Sequence, residues 1–448
     1  MGLMTGFIYC LDRPGLSNSS ADGSVVELDD VARCLAVGDS FSGSAHTSEL
    51  VKESCGDHIY GVQNALSEAV LSTHLEAWKA EQADLFVTLK GQELRLLGDG
   101  RCDSPGHSAK YLTYNFVDAE TSKVVHSIQV QVGEARMSFV FSFMSLPAPS
   151  QMEKAGFVKG LDDLRRADLK IAAITTDRHP SIRKQLRDHE PEVEHELDSW
   201  HVAKGLQKKL DAASKTKECS SLRGWIRNIC NHLYFCVALS EGDVTMRLSV
   251  WKSLTRHIIN VHDGHEGPFH TCLHDELPPH EWLDPGTPAY QKLVSIVLNP
   301  RLLKDIEQLS TASQTSCLES FHSLINQFAP KSAAYTPSVM RARTQLAILH
   351  HNENVVRDQA TDASGNLQFH RKLPKSSKGW EVLCPVKTKA THKYVQKLLV
   401  ASMEECALHS YCFMKLRKVS PQPAPMSAAC PRLHIDVLKA KRMLRFKK

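Results

Sequence analysis

The run Leu169 to Thr175 (LKIAAIT) constrains this 448-residue chain more than any other feature. It carries one charge and shows no polar alternation, so it reads as a parallel strand covered on both faces. Such a strand needs crossover connections, and helices supply them. The flanking pattern agrees. Met152 to Ala167 repeats apolar positions at helical spacing, Ser181 to His189 does so again, and a short strand is predicted over Val193 to Trp200. Upstream, strand-like runs over Leu85 to Leu97, Ala109 to Val117 and Lys123 to Val132 are separated by turn residues and predict an antiparallel meander. An amphipathic helix is expected over Ile59 to Ala83. The order is βββαβαβ, an α/β fold.

The rest of the chain divides around that unit. Residues 1–60 are Gly/Ser-rich and irregular, 61–201 hold the first part of the core, and 202–308 are helical and rich in Trp, Cys and His. Residues 309–368 are expected to supply two further helices, Leu309 to Phe328 and Met340 to Val356. Residues 369–448 form a C-terminal segment with one helix over His392 to Cys406. The longest apolar stretch, Phe139 to Pro147, is about half of the ~20 residues that a membrane span requires, so no membrane partner is expected. The N-terminus has no basic region ahead of an apolar core, so the thirteen cysteines are expected to be thiols or metal ligands. A net charge of +4 conceals two unlike parts. From Lys415 onward ten Lys/Arg face a single acid, Asp436, a +9 tail on a body of −5. Such a tail can bind phosphates or direct the chain to the nucleus.

Three antiparallel strands followed by alternating helix and strand is the order of a ribonuclease H-like core, here interrupted by a helical insertion. In such a core carboxylates at strand ends hold two divalent cations about 4 Å apart for phosphodiester chemistry. Three acids fit. Asp99 lies where the first strand is expected to end, between Gly98 and Gly100, glycines that let backbone and phosphate approach closely; Asp177 follows the buried strand; Glu319 lies on a later helix beside Leu318 and Phe321. Asp103 is the runner-up for the first acid.

These residues sit within longer motifs. GDGRCDSPGHSAKYLTYNFVD, ITTDRHPSIRKQL, DSWHVAKGLQKKL, WIRNICNHLYFC, CLESFHSLINQFAPK and ARTQLAILHHNENVVR, in that order over about residues 92 to 385, resemble the Kolobok superfamily of cut-and-paste DNA transposases. The resemblance implies a DDE triad on Asp99, Asp177 and Glu319 that holds Mg²⁺ or Mn²⁺, DNA as the substrate, a homo-oligomer and a nuclear location. It also implies a role for the element Asp198-Ser199-Trp200-His201, with His201 as a contact to DNA or to a catalytic acid. Lys204, Lys208 and Lys209 follow on a predicted helix and could track a DNA backbone. Members of the superfamily commonly begin with a zinc-coordinating THAP domain. Here only Cys55 and His58 offer half of such a site, so that domain is expected to be missing. Residues 133–150 also depart from the compact connection expected there. The alternative reading is a catalytically inactive, transposon-derived DNA-binding or interaction protein.

The insertion offers a second metal candidate. His232 and Cys236 are spaced to share one helix face, and Cys272 and His274 could complete a tetrahedral N/S set of the kind zinc favours.

Overall fold

The structure, a computed structural model, describes residues 73, 75–132, 149–275, 277, 281–310, 316–374, 380–408, 423–429 and 434–445. The irregular segment 1–60, with Cys55 and His58, and residues 133–148 of the unusual connection lie outside them. Residues 75–89 form helix α1, which is followed by a turn where Gly91 takes φ +82°. The first strand therefore starts later than the apolar run predicts. Leu85 and Leu89 are buried residues of α1, and β1 spans Glu93–Cys102.

β2 (Tyr111–Asp118) and β3 (Val124–Gln131) complete the antiparallel meander. Helix α2 (Pro149–Arg166) leads into β4 (Lys170–Thr176), and α3 (Pro180–His189) into β5 (Glu194–Leu197). The result is a five-stranded mixed sheet, order β3-β2-β1-β4-β5, with β1, β4 and β5 parallel. Alternation along the strands divides the core between the two faces. Leu96, Leu112, Tyr114 and Phe116 pack with Phe157 and Leu161 of α2. Tyr114, Phe116 and Phe157 lie with ring centroids 5.1 to 6.0 Å apart, contacts worth about 0.5–1.5 kcal/mol each beyond area burial. The opposite face, with Leu97, Tyr111 and Val117, is covered by α9 (Ser316–Phe328) and α10 (Pro337–Asn354).

Between the two halves of this layered unit run α4 (Ser199–Ala213), α5 (Leu222–Ser240), α6 (Val244–His257), α7 (Pro288–Val297) and α8 (Pro300–Glu307). They share a core of their own that includes Leu206, Leu222, Trp225, Trp251 and Val297. The insertion leaves and returns at one place. Leu197 N–H donates to Gln308 O (2.7 Å) and Ser310 N–H to Leu197 O (3.0 Å), so the returning chain pairs with the end of β5. Buried Glu196 fixes this closure: its carboxylate accepts from Arg95 of β1, Thr175 of β4 (2.8 Å) and Ser310 (2.9 Å). Arg247 of α6, also buried, donates to the carbonyls of Ile306, Glu307 and Leu309, which satisfies the C-terminal end of α8.

The expected helix from Leu309 starts only at Ser316 among the described residues, because Leu309 and Ser310 are used in this pairing. A two-stranded hairpin, β6 (Phe369–Lys372) with β7 (Val382–Pro385), and helices α11 (Lys393–Leu408) and α12 (Ile435–Arg445) follow. Helix α12 carries part of the basic tail. Among the described residues the cysteines are free thiols, and no helix is long and apolar enough to cross a membrane.

Candidate active site

Asp99 lies within β1 rather than at its end, opposite Asn115 of β2. On the other side β1 runs parallel to β4 with Leu97 level with Thr175. Continuing that register by two residues sets Asp99 level with Asp177, which lies just past the end of β4. Two carboxylates are thus presented from adjacent strands where β4 stops and β1 continues. Glu319, in the first turn of α9, lines the same open pocket of about 370 Å³ as Asp99, together with Arg101, His322, Asn326 and Lys331. The structure thus brings Asp99 and Glu319 into one pocket, with Asp177 beside them.

The electrostatics report the crowding. Burial, then the charge of Asp177, with Glu319 adding less, push the Asp99 carboxyl up to about 7, against a backbone hydrogen bond from Gly100 and the attraction of His201. The side chain keeps 29% exposure at the pocket mouth, so water screens part of this effect while leaving its direction upward. Glu153 of α2, which the sequence reading passes over, belongs to the same cluster: burial and the charges of Asp177 and Asp99 push it up to about 8. His179 faces it, Nε2 to Oε2 3.8 Å.

The glycines beside Asp99 are required by the packing beneath the strand. A Cβ on Gly98 would stand 2.7 Å from the Tyr114 hydroxyl, and one on Gly100 2.9 Å from Glu153 Cγ. They admit Tyr114 and Glu153 beneath the strand.

Two histidines orient the acids. His322 Nε2 lies 3.0 Å from Asn115 Nδ2, and Asn115 Oδ1 accepts from Ser127 Oγ at 2.8 Å. Asn115 therefore donates to Nε2, which leaves the ring proton on Nδ1, 3.5 Å from Asp99 Oδ2. Burial drives the His322 pKa down to about 3, so this contact involves a neutral imidazole. His201 differs. Its Nδ1 lies 3.2 Å from Asp198, a hydrogen bond that raises its pKa, and Asp177 and Asp99 raise it further.

The remaining predicted residues divide. Asp103, the runner-up acid, accepts from the N–H groups of Lys110 (2.9 Å) and Tyr111 (3.0 Å) and shapes the β1–β2 connection. Asp198 caps α4 by accepting from Trp200 N–H at 2.8 Å, as well as binding His201. Trp200 is 38% exposed, and Lys204 Nζ lies 4.0 Å over its ring. Lys208 and Lys209 are exposed on α4.

The zinc expectation is corrected. His232 and Cys236 do not join Cys272 and His274. His232 Nε2 bonds Val250 O at 2.7 Å, and Cys236 is fully buried in the insertion core, where burial raises its thiol pKa. Cys272 and His274 instead meet His257 and His262. Helical spacing suggested the first pair, but a helix face that packs inward is occupied by core, not by a ligand set.

Glu153 and His322 had readable signals. Glu153 sits four residues before Phe157 on the buried side of α2, a carboxylate on an apolar face, and His322 follows Glu319 by one helical turn.

No protein-family model matches the chain, and a search of curated proteins gives no match.

Proposed function

We propose that this chain is a transposase-type enzyme that cleaves and joins DNA phosphodiesters with Mg²⁺ or Mn²⁺, on a core of the ribonuclease H-like kind. The observation that carries the reading is the convergence of Asp99, Asp177, Glu153 and Glu319, acids from four separate elements, with Asp99 pushed up to about 7. Like charges gathered without a permanent counter-ion are costly in a folded protein. A hard divalent cation removes that cost, and the donor set fits one: carboxylate oxygens, with His322 neutral nearby. Asp99, Asp177 and Glu319 would hold the metal, which supplies charge to polarise a phosphoryl oxygen. The strand order β3-β2-β1-β4-β5 and the insertion between β5 and α9 support the same reading.

The chain's own groups do the rest. Asn115 and His322 hold the Asp99 carboxylate in one orientation, and Glu153 stands beneath it as a proton-bearing acid near neutral pH. Lys331 lines the pocket and can face a phosphate, whereas Arg101 is buried behind it and donates from Nη2 to Asn326 and to Ala329 O. The exposed Trp200 with Lys204 over its ring, continued by Lys208 and Lys209, presents a stacking surface and cations to a DNA strand. A chain acting on DNA in this way would work in the nucleus, and its basic tail supplies the clustered cations of an import signal.

A strand-cleavage and strand-transfer assay with Mg²⁺ or Mn²⁺ tests the proposal. Native chain should act on DNA and Asp177→Asn should lose at least 100-fold; equal activity in the two would remove these acids from catalysis, and a native chain that binds DNA without cleaving it would leave an inactive DNA-binding protein as the reading.

A further inference from the structure

The insertion carries a second ligand cluster, remote in sequence from the carboxylates and chemically unlike them. His257 ends α6, and the loop that follows folds back on it. Cys272 N–H donates to His262 O (2.9 Å), His265 N–H to His270 O (2.9 Å), and Asp263 bridges to Thr271. This hairpin sets one ligand atom from each of His257, His262, Cys272 and His274 within 4.8 Å of one another.

The hydrogen bonds of His262 and His274 leave one nitrogen free on each of those imidazoles, as metal ligation requires. His262 Nε2 donates to Asn260 Oδ1 (3.0 Å), which makes its buried, unpartnered Nδ1 the free atom. His274 Nδ1 donates to Asp275 O (2.8 Å), which leaves Nε2. His257 Nδ1 lies 3.5 Å from Cys272 Sγ, close to the ~3.6 Å edge of a tetrahedron with Zn–N near 2.05 Å and Zn–S near 2.3 Å. His265 Nε2, 3.3 Å from the same sulfur, can donate to it once it is a thiolate. Trp225 and Trp282 pack edge-on against His257, and Trp282 also meets His262, so indole surface shields the cluster.

We propose that His257, His262, Cys272 and His274 form a tetrahedral zinc site that ties the loop after α6 to the end of that helix. Three imidazoles and one thiolate fill a tetrahedron and leave no open position, which makes the site structural. Binding converts the Cys272 thiol to a thiolate and releases its proton to solvent.

The purified full-length chain, exposed to zinc alone and then desalted, should retain about one zinc per chain by elemental analysis. Cobalt(II) in its place should give the intense visible bands of a tetrahedral ion and a thiolate-to-metal charge-transfer band. His274→Ala removes the most exposed ligand and should lower zinc affinity at least ~10-fold with the circular dichroism of the fold retained. Cys272→Ser should abolish the charge-transfer band, whereas His270→Ala, an exposed neighbour, should leave zinc content unchanged. A native chain that retains no zinc, or gives only the pale spectrum of octahedral cobalt, overturns the proposal whether or not the variants fold. Zinc retained at native level by both Cys272→Ser and His274→Ala overturns it as well.

Discussion

Burial and the charges of Asp177 and Glu319 hold the Asp99 carboxyl at about 7, against an ordinary value of 3.8, so over that window the folded chain keeps a proton that the unfolded chain gives up. Stability without metal should therefore fall as pH rises from about 4 to 7, and Glu153 extends the fall toward about 8. His201 acts in the same sense: its pKa is raised, so the stability it contributes is present at acidic pH and lost as pH rises through that value. Asp99→Asn should raise metal-free stability at pH 8 by about 1–2 kcal/mol, a gain that shrinks toward pH 4, while strand cleavage is lost. Urea unfolding at the two pH values, with and without Mg²⁺, measures this. Mg²⁺ should stabilise the native chain more at pH 8 than at pH 5 and leave the variant almost unmoved. Glu153→Gln keeps the shape and removes the acid, so it should fold normally and cleave at least ~10-fold more slowly; native rates from it would make Glu153 a bystander.

At the scale of elements, the acids of this chain look alike in sequence and differ in use. Glu196 joins β1, β4 and the returning chain at Ser310, and Glu196→Ala would leave Arg95 without its buried partner. A loss of about 3 kcal/mol is expected, read as a lower urea midpoint with little change in slope. Asp103 accepts from backbone N–H groups, and Asp198 divides its oxygens between Trp200 N–H and His201. Such partners come from residues that register and turns bring together, so spacing alone does not distinguish Asp103, held by Lys110 and Tyr111, from Asp99 in the pocket. Alternation and apolar runs did reveal β2, β3 and β4, because those strands bury whole faces. The helix α1 was legible in kind but not in extent. Its apolar residues 85–89 suit a strand equally well, and the turn at Gly91 decides between them.

For the whole molecule, the exposed cations of α4 and the carboxylate pocket belong to one reading, and DNA binding tests it apart from catalysis. Replacing Lys204, Lys208 and Lys209 together by Ala should weaken binding to any DNA sequence and make its dependence on log salt shallower by about 2–3 units. An unchanged slope in a filter-binding or fluorescence titration would assign those lysines to a solvated face. The zinc cluster shows the limit of spacing arguments at this scale, since His257 and Cys272 lie fifteen residues apart and meet only because the loop folds back.

By itself the sequence determined the order βββαβαβ and the helical character of the insertion, and offered Asp99, Asp177 and Glu319 as candidates, because periodicity, composition and chain order are read along the chain. Only the tertiary structure decided that Glu153 joins those acids, that Asn115 orients His322 toward Asp99, and that His257 and His262 replace His232 and Cys236 beside Cys272 and His274. Each of these depends on side chains meeting from separate elements, and such meetings are set by strand register, helix packing and loop return rather than by spacing along the chain.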